Sequence, residues 1–226
     1  KSFSDSPMRP KSNTEKDMKY LANFLKEGRM VYISHLDLQR MVLRALRMAG
    51  LRPAYTQGFH PHAKLSLALP LSLGYASDDE YFEFEIERDI DPAEAADRLN
   101  AVFPAGVRVK RIFAKPDAVR KSLASLITAV TYEIRAISVP ENDNVWDNDR
   151  IAAAIQAWNG EKSAALSLSA SWGNKVVFTI TLSAENGNVP NPLKRFSDFL
   201  QSAGRETALE ILSVKRTKIL IPGVSD

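Results

Sequence analysis

The chain has 226 residues, with 30 Lys and Arg against 27 Asp and Glu, three His and no Cys. That length fits one or two domains with a real core, and 45% apolar with 25% charged residues excludes wholesale disorder. Without cysteine the chain cannot form a disulfide, a zinc ribbon or a thiolate nucleophile, nor hold an iron–sulfur cluster by itself. No apolar run approaches the roughly 18 residues that span a bilayer, and no leader opens the sequence, so a cytoplasmic protein without a membrane segment is expected. The net charge of +3 conceals segregation. Asp17–Lys64 carries eight Lys or Arg against three acids, Asp78–Asp97 ten acids against Arg88, and Gly106–Lys121 six bases against one acid. Such blocks either build one positive and one negative face or alternate as ordinary solvated surface.

Residues 1–16 are rich in Ser, Pro, Asn and Lys and read as a flexible lead-in or linker; the initial Lys suggests a piece of a longer protein. Lys19–Lys26 and Met30–Ile33 read as the two ends of a bent strand interrupted at Glu27-Gly28. Ser34–Ala49 is a helix: Leu38, Met41, Val42, Ala45 and Leu46 fall on one face, Ser34 caps it with Asp37 in the reciprocal position, and Gly50 and Pro53 end it. Lys64–Leu69 and Tyr81–Glu87 alternate as strands, Pro92–Phe103 is a second helix and Val107–Ala114 a further strand. The order is β-α-β-β-α-β. It repeats as strand Ala129–Val139, helix Asp149–Trp158, hairpin strands Ala164–Ser171 and Lys175–Ser183 across Trp172-Gly173-Asn174, helix Pro192–Gln201 and strand Leu209–Leu220. The expected fold is therefore α+β: two tandem ferredoxin-like units with antiparallel sheets, spanning 17–116 and 117–226, with a linker near Lys115–Ser125. Tyr81, Phe82 and Phe84 are interleaved with glutamates, so the sheet face is expected to be negative and RNA to bind elsewhere.

Polar chemistry concentrates in Ser34–Leu69. Arg40, Arg44 and Arg47 recur at i, i+4 and i+7 and form a stripe of guanidinium groups suited to phosphate oxygens, or simply the solvated side of an amphipathic helix. Arg52 and Lys64 are further phosphate candidates. The loop that follows supplies Tyr55, Gln57, Gly58, Phe59, His60 and His62 as ligand contacts, with Ser34 and Asp37 at the helix start. Tyr55 and Phe59 suit base stacking or core packing, and packing is expected for Phe59. All three histidines, His35, His60 and His62, lie in this stretch and are candidates for acid–base work; a zinc site is conceivable but no metal is expected, for want of a defined carboxylate partner. No phosphate loop, dinucleotide fingerprint or nucleophile elbow is present. Lys194-Arg195 and Lys215-Arg216-x-Lys218 read as exposed charge.

One stretch resembles a known family. The sequence YISHLDLQRMVLRALRMAGLRPAYTQGFHPHAKLSLALPLSLG, continued by EYFEFEIE and RLNAVFPAG, is similar to the radical-SAM-linked proteins of bacteria, a family of uncharacterised function encoded beside, or fused to, cobalamin-binding radical SAM proteins. Ser34–Leu38, Arg40, Arg44 and the Gly58-Phe59-x-Pro61-x-x-Lys64 string match the family pattern, whereas His60 stands where Asn is common and Ala63 where Pro is frequent. The resemblance implies a radical SAM partner that carries the iron–sulfur cluster, S-adenosylmethionine and cobalamin, with no cofactor in this chain. It also implies a role in tRNA or rRNA modification. The expectation is thus a non-catalytic accessory domain that binds RNA or presents substrate. The alternatives are a metal-independent RNA-processing or modifying enzyme using His35, His60 or His62, and a pure protein-interaction module.

Overall fold

Alternating and helical hydrophobic periods divide the chain into eight strands and five helices among the residues described by this computed structural model: 18–115, 122–138, 148–161, 164–172, 175–185, 187–203 and 209–224. The first half contains β1 (Met18–Lys26), α1 (His35–Met48), β2 (Leu65–Leu67), β3 (Ala76–Ile86), α2 (Pro92–Asn100) and β4 (Val107–Ala114). A short helix, α3 (Leu123–Leu126), leads into β5 (Ala129–Ser138), α4 (Asn148–Glu161), β6 (Ala164–Trp172), β7 (Lys175–Ser183), α5 (Pro192–Ser202) and β8 (Leu209–Leu220). The anticipated lead-in 1–16, the hairpin turn at Gly173-Asn174 and most of the anticipated linker lie outside the described residues.

Met30–Ile33 is not a strand. Glu27 N–H donates to Gly106 O at 2.8 Å as the last rung beside β4, after which Met30 and Ile33 bond back three residues and wind Gly28–Tyr32 into a 3-10 turn. The crossing is tight. Gly106 holds φ +94, and a Cβ there would lie 2.5 Å from the Glu27 carbonyl oxygen, so only glycine fits.

The strands form one continuous sheet in the order β4-β1-β3-β8-β5-β7-β6, with β2 beside β3. Every pairing is antiparallel except β3 with β8. The sequence reading expected a sheet for each unit; the difference arises in β3. That strand begins at Ala76 rather than Tyr81, and its early residues reach β8 through Ala76–Lys215 and Ser77–Arg216, while its later residues carry β2. Two apolar cores flank this join. In the first, Val42 and Leu46 of α1 and Leu99 of α2 pack on Phe24, Phe82 and Phe84, whose rings lie 5.5 Å apart along the row. In the second, Phe178 meets Phe196 at 4.9 Å and Phe199 packs edge-on against Trp158.

Between the cores runs a buried polar seam. Arg216 is 3% exposed and donates through Nη1 to both Glu80 oxygens at 2.8 and 3.1 Å, and through Nη2 to Pro70 O at 2.9 Å and the Tyr132 hydroxyl at 3.0 Å. Asp79 accepts from Asn23 Nδ2 at 2.6 Å and from Ile219 N–H at 2.7 Å, tying β1, β3 and β8 together. Lys26, 1% exposed, completes the set; burial holds its ammonium below the usual lysine range, with Glu80 opposing that shift and Arg216 adding to it. Of the anticipated exposed charge of Lys215-Arg216-x-Lys218, Lys218 is exposed as expected and Arg216 is corrected. Arg216 is core, and Lys215 pairs with Asp78 at 2.6 Å. Among the described residues no helix is long and apolar enough to cross a membrane.

Removing one member of a buried ion pair strands the other in a medium that solvates it poorly. Glu80→Gln leaves both Arg216 and Lys26 without that carboxylate and is expected to lower stability by about 3–5 kcal/mol in urea unfolding. Arg216→Met is expected to do less damage, because Lys26 remains to answer Glu80. Equal losses from the two variants would show that Lys26 takes no part in the seam.

Candidate nucleic-acid interface

Helix α1 is set down on the first core by Leu38, Val42, Ala45 and Leu46, which leaves Arg40, Arg44 and Arg47 on its exposed side. Its start is closed by the anticipated Ser34 N-cap, with Asp37 bonded to the Ser34 hydroxyl in place of the reciprocal backbone bond of a capping box. Ser34 Oγ accepts from Asp37 N–H at 3.1 Å and donates to Asp37 Oδ2 at 2.7 Å, and Arg40 Nη1 reaches Asp37 Oδ1 at 3.1 Å. Ser34 and Asp37 are therefore committed to the cap. The Ser34 hydroxyl, followed by Arg40, holds the Asp37 carboxyl below its ordinary value of 3.8. A carboxyl lowered in the folded state contributes its stabilisation above the unfolded value and loses it as pH falls through the folded one. Ser34→Ala is expected to lower stability by about 1 kcal/mol at neutral pH, with a shallower loss on acidification below about pH 4 than in the parent. Parallel urea unfolding of both proteins across that range checks it; identical acid profiles would contradict the assignment.

The segment after α1 has no period in the sequence, yet it is built. Ala54 N–H donates to Glu85 O and Lys64 N–H to Ala54 O, both at 2.8 Å, so the segment is rooted on the outer edge of β3. Tyr55 then faces Ala63 in an antiparallel bridge, Thr56 N–H donates to His62 O at 2.8 Å, and His62 N–H donates to Thr56 Oγ1 at 3.0 Å. The result is a short finger with Gln57–Pro61 at its tip, where Gly58 takes φ +133, a conformation other residues rarely adopt. Phe59 is fully exposed at this tip, with Gln57, His60 and His62 exposed beside it. The expectation that Phe59 packs in the core is overturned. Gly58 turns the chain at the solvent end of the finger and leaves the Phe59 ring in solvent.

The phosphate candidates do not share one pocket. Arg47 donates to the Tyr55 hydroxyl and so joins the helix stripe to the root of the finger without losing its charge. Arg44 makes no ion pair with the described residues, and Arg40, its side chain 77% exposed, holds Asp37 in a surface pair that solvent screens. Lys64 is different. Its ammonium lies 2.7 Å from Glu85, which also meets Lys19 at 3.4 Å, on the sheet face turned away from the Phe82 and Phe84 core that α1 covers. Arg52 stands apart again, lining a polar hollow with Arg88 and Arg98 at the start of α2. The glutamates of β3 do not make a negative face as expected, since Glu83 is answered by Lys115 at 2.7 Å and Glu85 by two lysines.

His35 occupies the first turn of α1, away in sequence from the finger that carries His60 and His62. Among the described residues no three His, Cys, Asp or Glu side chains come close enough to hold a metal ion. The arrangement can instead offer a flat aromatic ring, imidazole edges and a row of three guanidinium groups to one extended ligand.

The sequence profile of DUF2344, described as an uncharacterised protein conserved in bacteria, matches residues 19–177. The chain belongs to the DUF2344 family. No curated protein matches this DUF2344 chain in sequence. Among solved structures it is similar to a chain in the crystal structure of an archaeal box H/ACA sRNP Nop10–Cbf5 complex, at TM-score 0.51 and 12% identity over 88% of this chain and 47% of that one. A chain of a Cbf5–Nop10–Gar1 complex is similar at TM-score 0.49 and 9% identity over 88% and 48%. The DUF2344 chain thus spans about half the length of these chains, and at such identity the likeness is one of fold alone.

Proposed function

We propose that this DUF2344 protein is a non-catalytic accessory domain that binds single-stranded RNA, or presents it as substrate, for a cytoplasmic radical SAM enzyme acting in tRNA or rRNA modification. The observation that carries the reading is Phe59, fully exposed on a hydrogen-bonded finger whose root is tied by Arg47 to the arginine stripe of α1. An exposed ring on an ordered support is a stacking surface for an unpaired base, and guanidinium groups alongside it suit the phosphates on either side. The radical SAM partner follows from the resemblance at Ser34–Gly106; it would supply the cluster, S-adenosylmethionine and cobalamin that a chain without cysteine does not hold. The underlying scaffold reads as two ferredoxin-like units fused edge to edge. Setting aside the short α3, each half has two helices, and its strands lie as β4-β1-β3-β2 and β8-β5-β7-β6, the same order counted within each half.

Fluorescence anisotropy with a short unstructured RNA tests the reading. Phe59→Ala is expected to weaken binding roughly tenfold or more, and Arg40→Glu with Arg44→Glu to abolish it. Lys64→Ala should leave it unchanged, because that ammonium is already held by Glu85. Three phosphate contacts give a slope of about −2 for log affinity against log salt. Absence of binding in the parent, or binding indifferent to both Phe59 and the arginines, would remove the proposal.

One further observation favours a protein-interaction module. Gly74 N–H donates to Val31 O at 2.9 Å, which sets exposed Leu73 beside the turn bearing exposed Tyr32, with Leu36 exposed one helical turn on. Leu36→Asp is expected to reduce co-purification of the radical SAM protein without changing RNA affinity, and undiminished co-purification would exclude that surface.

A further inference from the structure

A cleft of about 300 Å³ opens between the two halves, beside the polar seam. Its first wall comes from residues 69–75 and its second from residues 187–192, with Tyr132 and Arg216 between them. The walls are stiff and mixed in character: Leu69, Leu71 and Val189 stand with Pro70, Pro190 and Pro192, which have no N–H to offer, and Ser72, Asn188 and Asn191 add polar groups.

Two phenols line this space, and both have a proton left over. The Tyr132 oxygen accepts from Arg216 Nη2 at 3.0 Å and from Nε at 3.3 Å. A guanidinium only donates, so both phenol lone pairs are spoken for and the O–H donates to none of the described residues. Tyr132 is 3% exposed, so bulk water does not answer it freely either. Tyr75 lines the same cleft, and its hydroxyl donates to none of the described residues. A hydroxyl that opens onto a cleft with no protein acceptor is free to donate to a molecule bound there. Charge narrows the choice of ligand. Arg216 is neutralised in place by both oxygens of Glu80, so an anion finds no free cation and a cation meets a guanidinium.

We propose that this cleft binds a flat, neutral heterocycle of nucleobase size, with a ring carbonyl or ring nitrogen accepting from Tyr75 and Tyr132 and its faces against the proline walls. The volume lies at the small end of ligand pockets, which suits a single base or nucleoside and excludes a longer chain. The site is separate from the Phe59 finger and does not depend on the RNA reading.

The full chain, titrated separately with adenosine, guanosine, cytidine and uridine at millimolar concentration, gives the test. At least one nucleoside is expected to shift amide resonances of residues 69–75 and 187–192 saturably. Tyr75→Phe, which deletes one donor and disturbs no hydrogen bond of the fold, is expected to weaken that binding roughly fivefold at an unchanged melting temperature. Tyr132→Phe also removes an acceptor of Arg216, so its melting temperature falls and its binding is lost. No saturable shift with any of the four, or full affinity in Tyr75→Phe, overturns the proposal. Phe59→Ala serves as the control: it should leave nucleoside binding intact, and loss of binding there would place the ligand on the finger and sink the cleft site while supporting the other reading.

Discussion

The two halves of this protein are held in register by one guanidinium. Backbone pairing between β3 and β8 extends over only Ala76–Lys215 and Ser77–Arg216, too little to fix a parallel contact alone. Arg216 adds what the backbone lacks, because its planar fork reaches Glu80 on β3, the Pro70 carbonyl beyond β2 and the Tyr132 hydroxyl on β5 in a single geometry. Taking such charges out of water is expensive, and the pair recovers that only when every donor is matched. The seam therefore contributes less to net stability than to uniqueness: sliding β8 by one residue would take the guanidinium from Glu80 and leave only Lys26 to answer it. Asp79 enforces the same alignment from its other side by bonding Asn23 and Ile219 N–H.

That alignment reaches both candidate sites. The finger is rooted on Glu85, near the far end of the strand whose beginning is pinned at the seam. The cleft is walled by segments that approach each other only because β3 and β8 are neighbours, and its two phenols stand against the seam's own arginine. In the first half the helices cover the Phe82 and Phe84 side of the sheet, while the glutamates between them are matched by lysines, so exposed positive charge remains on α1 and on Arg108 and Lys110 of β4.

Much of the fold is legible in the sequence. Val107–Ala114, Lys175–Ser183 and Leu209–Leu220 stand at their expected limits because alternation is plain in each, and α1 follows from its apolar stripe and its Ser34–Asp37 cap. The join of the halves is not legible. Asp78-Asp79-Glu80 and Lys215-Arg216 each read locally as solvated charge, and only the meeting of Glu80 with Arg216 across 136 residues makes Asp79, Glu80 and Arg216 interior. Met30–Ile33 misleads for a similar reason, since its β-branched and aromatic residues suit a strand while the bond to Gly106 ends the ladder just before them. At the candidate interface the arginine stripe is visible as periodicity and the finger is not, being made of backbone bonds between Thr56 and His62 that no side-chain pattern announces. Gly58 is the one signal that Phe59 turns outward.

The shared outer edge of β3 has a consequence for synthesis on the ribosome. β2 is available to its later rungs almost at once, but the partner of its first rungs, β8, is near the C-terminal end of the described chain, 139 residues after Ser77. Until β8 emerges, the nascent first half must keep Glu80 and Lys26 hydrated and leave part of a strand edge open to pairing with other chains. Folding of the amino-terminal half is thus completed by a strand made long after it, and a chain truncated before β8 would present an edge prone to aggregate instead of a smaller working domain.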